Sequence, residues 1–266
     1  MNEVRLLEKD KEKSKISFIL KESTPAFANT LRRLVIEEVP VMAIEDVEFR
    51  KNSSILYDEF VAHRLGMMPL TTDIRSYTLP EKCKCEGKGC ARCQLKVTLK
   101  AKGPCMVYAS ELKTRDPAVK PVYPKTPIVK LLKGQSLEFE ATAVLGKGRQ
   151  HSKWCPGHIY YKQKPVIEVS GKCKGCGKCI EVCPTKVLEL KNSKASVIKD
   201  NLLKCHLCEA CQEICPEKAI TVTPSNDFIF YLESWGQLEP KKIVAEAAKI
   251  AQELFEDFAD SIKKQK

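Results

Sequence analysis

The sequence lacks the features that would mark it as a membrane protein or a secreted protein. None of its 266 residues belongs to an apolar run that approaches the roughly 18–20 residues needed to cross a membrane as a helix. Its first segment is charged from the third residue onward and has no apolar core of the kind found in signal peptides. We therefore expect a cytoplasmic protein.

Fingerprints of common catalytic sites are missing as well. The chain has no Asp-x-Asp-x-Asp run for magnesium, no glycine-rich loop for phosphate, and no flavin or nicotinamide fingerprint. We therefore predict no catalytic residues in this chain. Its composition, 43% apolar and 30% charged, is typical of an ordinary folded protein. The net charge of +11 suits acidic partners or nucleic acid, although a solvated basic surface would look the same.

Cysteine is the residue present in excess, with fourteen copies. Stable disulfides are disfavoured in a reducing cytoplasm, so clustered cysteines indicate metal there. Twelve of the fourteen fall in three clusters. Cys105 and Cys155 stand apart, and we expect them to be ordinary thiols.

Two of the clusters share one spacing and lie 32 residues apart. Each reads Cys-x2-Cys-x2-Cys-x3-Cys-Pro, from Cys173 to Pro184 and from Cys205 to Pro216. Three thiolates spaced by two residues can wrap one corner of an iron–sulfur cube, and in two-cluster ferredoxins the fourth ligates the other cluster. We therefore predict two [4Fe–4S] clusters with crossed ligands. The first would take Cys173, Cys176, Cys179 and Cys215, and the second Cys205, Cys208, Cys211 and Cys183.

The similarity of the two blocks continues past their prolines, as "PTKVLEL" and "PEKAITV", which is typical of a duplicated unit. Residues 166–223 thus resemble bacterial-type ferredoxins along their whole length, and this implies a ferredoxin-like fold. Zinc is the alternative for these blocks, because Cys-x2-Cys pairs also suit zinc.

The third cluster lies in "CKCEGKGCARC" and consists of Cys83, Cys85, Cys90 and Cys93. Four thiolates this close together can close a tetrahedral zinc site, and the two glycines between them would permit the turn. Zinc would stabilise a loop that has few apolar residues of its own. We favour structural zinc; free thiols, a disulfide formed in air and a labile iron site are the alternatives.

Four segments outside the ferredoxin-like part resemble one protein family. They are "AFANTLRRLVIEEVP" (26–40), "DEFVAHRLGMMPL" (58–70), "LGKGRQHSKWCP" (145–156) and "NDFIFYLESWGQLEP" (226–240). In this order they resemble the assembly subunits of multisubunit RNA polymerases, which are alpha in bacteria, the alpha-like D type in archaea and the third-largest subunit in eukaryotes. The inserted ferredoxin-like part is similar to archaeal members in particular, because bacterial alpha lacks it. The eukaryotic members carry a similar four-cysteine zinc loop.

This resemblance implies an α+β fold with a discontinuous, alpha-like dimerization domain. Its two pieces would be residues 1–45 and 224–266. Between them would lie an inserted mixed α/β domain at 46–165, which carries the cysteine-rich loop, and the ferredoxin-like domain at 166–223.

The resemblance also implies a non-catalytic assembly and scaffold subunit of DNA-dependent RNA polymerase. The chain would form a heterodimer with a small alpha-like subunit of the L type. This pair would dock the large catalytic subunits and the small zinc-bearing subunits. DNA would be contacted only indirectly, through the complex.

Two helices are expected to carry the partner contacts. Thr24 can cap the first and Pro25 suits its first position, whereas an apolar stripe follows Pro240. Arg32 and Arg33 are candidates for contact with the second-largest subunit, although a solvated helix face is the alternative. The apolar contacts expected from the two helices are Phe27, Leu31, Leu34, Ile250, Leu254 and Phe258.

A ferredoxin-type electron carrier with extensions is the competing interpretation. It accounts for the two cysteine blocks but not for the four family-like segments, which a carrier does not need. In a polymerase subunit we expect the clusters to stabilise their domain and to regulate assembly, whereas in a carrier they would transfer electrons.

Overall fold

A computed structural model describes residues 3–264, which contain five α-helices and twelve β-strands. The helices are α1 (Pro25–Glu37), α2 (Asp58–Gly66), α3 (Lys178–Glu181), α4 (Ala210–Glu213) and α5 (Pro240–Lys263). The strands are β1 (Val4–Asp10), β2 (Lys15–Leu20), β3 (Val41–Asn52), β4 (Gln94–Lys102), β5 (Cys105–Tyr108), β6 (Lys113–Thr114), β7 (Pro127–Leu131), β8 (Ser136–Gly146), β9 (Gly157–Val169), β10 (Leu188–Lys191), β11 (Lys194–Val197) and β12 (Ile220–Ser234). No helix in this described range is long and apolar enough to cross a membrane.

The described residues form two compact units, each assembled from three stretches of the chain. One unit contains residues 3–8, 17–28 and 160–231, and the other contains residues 9–16, 29–159 and 232–264. The two pieces expected to form a dimerization domain, 1–45 and 224–266, contribute to both units.

One sheet combines early and late strands in the order β1-β2-β12-β9. β2 is buried at five of its six positions, whereas the edge strand β1 is mostly exposed. The rings of Phe18 in β2 and Phe230 in β12 stack with their centroids 5.0 Å apart. Such a cross-strand aromatic pair helps to hold neighbouring strands in register.

A second sheet, in the order β3-β8-β4-β6, carries the larger hydrophobic core. β8 lies between β3 and β4 and is antiparallel to both, with Val41 opposite Gly146. β4 buries every second residue from Leu95 to Ala101, as a half-buried strand requires. β5 and β7 pair separately.

The first helix begins as the sequence predicts. The Thr24 hydroxyl accepts a hydrogen bond from the backbone N–H of Phe27 at 3.2 Å, and Pro25 is the first helical residue. α5 likewise begins at a proline, Pro240, whose missing N–H costs nothing at that position.

Candidate iron–sulfur, metal and partner sites

The 32-residue repeat of the sequence is also a repeat of the backbone. α3 and α4 occupy equivalent positions in the two cysteine blocks. Three pairs of residues related by 32 positions share left-handed backbone angles. They are Gly175 and Leu207 (φ 69° and 60°), Gly177 and Glu209 (79° and 60°), and Lys186 and Lys218 (49° and 47°). The two blocks are therefore folded alike.

A cavity lies where the first block meets the end of the second. Its lining includes Cys173, Cys176, Cys179 and Cys215. Burial raises the pKa of the Cys179 thiol, and the charges of the other three cysteines raise it further. Three thiols from one block and one from the other thus surround a single space, in the crossed combination that the sequence predicts.

The second crossed set is also close together. Burial, followed by the charges of three neighbouring cysteines, raises the pKa of Cys211 to about 11. Those neighbours are Cys183, Cys205 and Cys208. Cys183 therefore lies with the second block although it belongs to the first in sequence.

Backbone N–H groups point at four of these sulfurs. The donor and acceptor pairs are Val187 N to Cys183 Sγ (3.5 Å), Ala219 N to Cys215 Sγ (3.3 Å), Ala195 N to Cys173 Sγ (3.4 Å) and Leu207 N to Cys205 Sγ (3.5 Å). Hydrogen bonds from Ala195 and Gly175 hold the pKa of Cys173 below its usual value. Such donors favour the thiolate, which is the form that ligates iron.

The burial of the ligands follows the repeat as well. Cys176 and Cys208 are exposed, whereas their neighbours Cys179 and Cys211 are buried. The hydrophobic cluster around them contains four buried cysteines and five buried aliphatic residues, namely Val187, Leu188, Ala195, Ile220 and Val222. With so few apolar side chains, ligation would supply much of what holds this part together.

The third cysteine cluster forms a compact tetrad in the loop before β4. The Sγ–Sγ distances are 3.6 Å for Cys83–Cys90, 3.4 Å for Cys83–Cys85, 3.5 Å for Cys85–Cys93 and 3.9 Å for Cys90–Cys93. Zn–S bonds of about 2.3 Å in a tetrahedron place the sulfurs about 3.8 Å apart, so the tetrad fits one such ion. Hydrogen bonding by Cys83, and then by Cys93, lowers the pKa of Cys85 to about 6.

The loop turns where the glycines allow it. Gly87 and Gly89 have φ angles of 78° and 89°, which side chains rarely adopt. Within residues 3–264, this tetrad is the only group of three or more potential ligands whose atoms lie within 4.8 Å of one another. The sulfurs of the two ferredoxin-like sites are spread more widely, which suits a cluster of several atoms better than a single zinc ion.

The partner residues predicted on α1 differ in exposure. Phe27 is 44% exposed, Leu31 is half-buried, and Leu34 is buried within its own chain. Both arginines are already engaged by the helix. Arg32 donates to Asn29 Oδ1 at 2.9 Å, and Arg33 pairs with Glu37 at 3.0 Å.

The second half of α5 presents an uncovered apolar face. Ile243 and Ala247 in its first half are buried, and Ile250 is half-buried. Beyond them, Leu254, Phe255, Phe258 and Ile262 are 50%, 65%, 64% and 53% exposed. These four residues form what we term the α5 apolar face. A patch of this size on a helix is typical of a protein–protein interface.

Cys105 and Cys155 belong to no cluster, as expected. Their thiols lie near the backbone carbonyls of Lys102 and Gly157. Burial raises the pKa of Cys155, which makes it a poor nucleophile.

Sequence reasoning missed two lysines beside the ferredoxin-like sites. Lys174 Nζ lies 2.7 Å from Glu217 Oε1, and both residues line the first cavity. A position-by-position comparison of the two blocks would have shown that Lys174 and Glu217 are charged where their equivalents, His206 and Thr185, are not acidic or basic in the same way. Lys162 donates to the carbonyl of Cys205 at 3.1 Å, and no pattern in the sequence signals that contact.

Comparisons with known proteins match both parts of the chain. Residues 44–156 match the family described as the RNA polymerase Rpb3/RpoA insert domain, and residues 165–216 match the 4Fe-4S dicluster domain. The DNA-directed RNA polymerase subunit Rpo3 of Archaeoglobus fulgidus is 41% identical over 259 residues, which cover 97% of each chain. The same subunit of Methanothermobacter thermautotrophicus is 43% identical over 247 residues, covering 91% of this chain and 92% of that one. That of Pyrococcus furiosus is 36% identical over 262 residues, covering 98% and 97%.

Proposed function

Because this chain belongs to the Rpo3 family of archaeal DNA-directed RNA polymerase subunits, we propose that it acts as the platform on which that polymerase assembles. Family membership makes other polymerase subunits its partners and transcription its process. The finer proposal is a heterodimer with a small alpha-like subunit of the L type. That pair then docks the large catalytic subunits and the small zinc-bearing subunits in the cytoplasm.

The α5 apolar face carries this proposal. Four large apolar side chains follow one another on the last turns of the helix, and nothing in the described part of the chain buries them. Phe27 on α1 is also exposed. Burying these groups against equivalent helices of a partner would supply the hydrophobic contribution that obligate subunit interfaces need.

Co-purification tests the platform role. The tagged chain would be isolated from its native host under strict anaerobiosis, and the proteins that co-elute would be identified by mass spectrometry. We expect a small alpha-like subunit and two very large chains. Isolation of the chain alone, or with a reductase or hydrogenase, would contradict the proposal.

The ferredoxin-like part is proposed to bind two [4Fe–4S] clusters through the two crossed cysteine sets. The cavity lined by the first cysteine set supports this assignment, and so does the proximity of Cys211 to the other three cysteines of the second set. When bound, each cluster would cross-link the two cysteine blocks. The clusters would thereby stabilise the domain, and their loss would weaken docking of the large subunits. Iron and sulfide analysis of the anaerobic protein should give about eight of each per chain, as two cubes require.

Structural zinc is proposed for the cysteine tetrad. The sulfur spacing and the burial of Cys83 and Cys93 support it. Metal analysis should find about one zinc per chain in the wild type and none in Cys90→Ser, with the iron content unchanged in both. Loss of iron together with zinc, or no zinc in the wild type, would overturn the assignment.

The electron-carrier alternative is not favoured. The Rpo3 relatives match this chain over nearly its whole length, so the segments outside the ferredoxin-like domain belong to the polymerase subunit and are not extensions of a carrier.

A further inference from the structure

The two cluster sites are not equivalent, and the difference lies at two positions beside the ligands. The 32-residue repeat relates Lys174 to His206, and Thr185 to Glu217. Lys174 directly follows the first ligand of its block, and Glu217 lies two residues after Cys215. These positions face each other across a site, so their chemistry decides whether the two blocks are joined there.

At the first site the two positions carry opposite charges. Lys174 Nζ lies 2.7 Å from Glu217 Oε1, and we term this contact the cross-block ion pair. It joins the segment that supplies three ligands to the segment that supplies the fourth.

At the second site the equivalent residues do not join the blocks. The Thr185 hydroxyl lies 3.8 Å from Cys183 Sγ, within its own segment. His206 is exposed, and no hydrogen bond or ion pair links it to Thr185 in the part of the chain that the structure describes. Asn201, which precedes the second block, does donate to the Lys186 carbonyl at 3.2 Å, but this is a hydrogen bond between neutral groups and not an ion pair. Lys162 holds Cys205 from β9 and not from the segment of Cys183.

The hairpin of β10 and β11 adds further contacts at the first site. Ala195 N donates to Cys173 Sγ, and the backbone of Ser193 packs against Gly175. The first site is therefore held by a cross-block contact and by the hairpin.

We propose that the cross-block ion pair retains the first cluster, so that the second cluster is lost first when the protein meets oxygen. This proposal depends on the binding of two clusters proposed above. Loss of a cluster requires its four ligands to move apart, and the fourth ligand of each site lies on the other segment. Lys174 and Glu217 are positioning residues that oppose this separation at one site only.

The expected size of the effect is modest because both side chains are partly exposed. Ion pairs between exposed side chains are weak, so we expect about a twofold to fivefold change in the decay rate. Salt at about 1 M shortens the screening length to about 3 Å and should remove most of the difference.

The test follows cluster decay in air by visible absorbance and iron content, using the full chain bound to its small partner. Cys208→Ser with Cys211→Ser leaves only the first site, and Cys176→Ser with Cys179→Ser leaves only the second. We expect the first-site protein to decay about two to five times more slowly. Glu217→Gln should abolish this advantage and leave the second-site protein unchanged. Equal decay rates, or no effect of Glu217→Gln, would overturn the proposal.

Two further measurements keep the test independent of folding defects. The otherwise wild-type chain should decay in two phases, of which Glu217→Gln accelerates only the slower. Thr185→Glu with His206→Lys should slow decay of the second-site protein, because it places an ion pair there. If the transplanted pair has no effect, the proposal fails. If the wild-type protein holds no iron at all, it is the proposed cluster binding that fails.

Discussion

At the scale of single residues, Gly175 is required for space and Gly177 only for its backbone angle. A Cβ atom at Gly175 would lie 2.2 Å from the Ser193 carbonyl oxygen, whereas one at Gly177 would meet nothing within 4 Å. Leu207 and Glu209 take up the same left-handed angles in the second block. The fold thus tolerates side chains at both positions of one block but at only one position of the other.

We expect Gly175→Ala to lose the first cluster while keeping the second. The new methyl group would push the hairpin away from the first site. Gly177→Ala should retain both clusters and cost about 1–2 kcal/mol in backbone strain. Iron content per chain and thermal unfolding measure the two effects, with Leu207→Ala as the control at the equivalent position. Full iron content in Gly175→Ala would contradict this account.

The proposed ligand sets follow from residue spacing, but their surroundings do not. Cysteines spaced by two residues indicate an iron–sulfur cluster because this spacing lets neighbouring thiolates bind one cube. The amide of Ala195, by contrast, reaches Cys173 only after a hairpin has formed around Asn192 and Ser193, whose φ angles are both left-handed. That contact depends on tertiary folding, which no local pattern encodes.

At the scale of elements, the loop at 147–150 is fastened to the end of α1. Arg149 N donates to the Glu37 carbonyl at 3.1 Å, which satisfies one of the free carbonyls at the helix end. Lys147 and Arg149 both pair with the carboxylate of Glu38, at 2.9 and 3.0 Å. The helix expected to meet the small partner is thereby joined to the third family-like segment of the sequence, residues 145–156.

This junction leaves no room for a side chain at Gly148, where a Cβ atom would clash with the Ile36 carbonyl. We expect Gly148→Ala to destabilise the protein by about 1–3 kcal/mol, as overpacking does. Gly66→Ala is the control, because its Cβ would make only ordinary contacts, 3.5 Å from the nearest atom, at the end of α2. That change should be neutral or stabilise by up to about 1 kcal/mol. Denaturant unfolding measures the free energy of unfolding of both variants. Similar decreases in the two variants would contradict the close fit of the loop at Gly148.

The α5 apolar face gives a second prediction at this scale. Phe258→Glu and Leu254→Glu should each weaken binding of the small partner about tenfold or more, because a charge would be buried in the interface. The free energy of unfolding of the isolated chain should change by less than about 0.5 kcal/mol, since both side chains are exposed. Lys249→Gln changes the net charge by the same amount on the opposite side of the helix and should leave binding intact. Equal binding by all three variants would exclude this face from the interface.

Helices α1 and α5 could be predicted from the sequence, whereas the contacts around them could not. A capping threonine, an initial proline and apolar residues at helical spacing are local signals, and each lies within a few residues of the next. The ion pairs of Glu38 join residues that are about a hundred positions apart. The pairing of β3 with β8 has the same non-local origin. These arrangements follow from packing of the whole unit.

At the scale of the whole molecule, metal binding and core formation are separate. The larger core contains none of the eight proposed iron ligands, whereas four of them lie in the small cluster around Val187 and Ile220. Removing iron should therefore unfold the ferredoxin-like domain without unfolding the sheet of β3, β8 and β4.

The double variant Cys183→Ser with Cys215→Ser tests this separation, because it takes the crossing ligand from each site. We expect it to lose or convert both clusters and to dock the large subunits more weakly, while still binding the small partner. Iron content, electron paramagnetic resonance and co-purification measure the three properties, with Cys105→Ser as the control. Failure to bind the small partner would show that cluster binding and dimerization are not independent.

The crossed ligand sets also impose an order on the synthesis of the chain. With the proposed ligands, the second site is complete only when Cys211 has been made, and the first only when Cys215 has. By then the residues of β3, β8 and the cysteine tetrad have left the site of synthesis, whereas α5 has not yet been made. The nascent chain can therefore finish its larger core and bind zinc before it can hold either cube. Under this proposal, iron binds late in synthesis, just before the helix proposed to bind the small partner emerges.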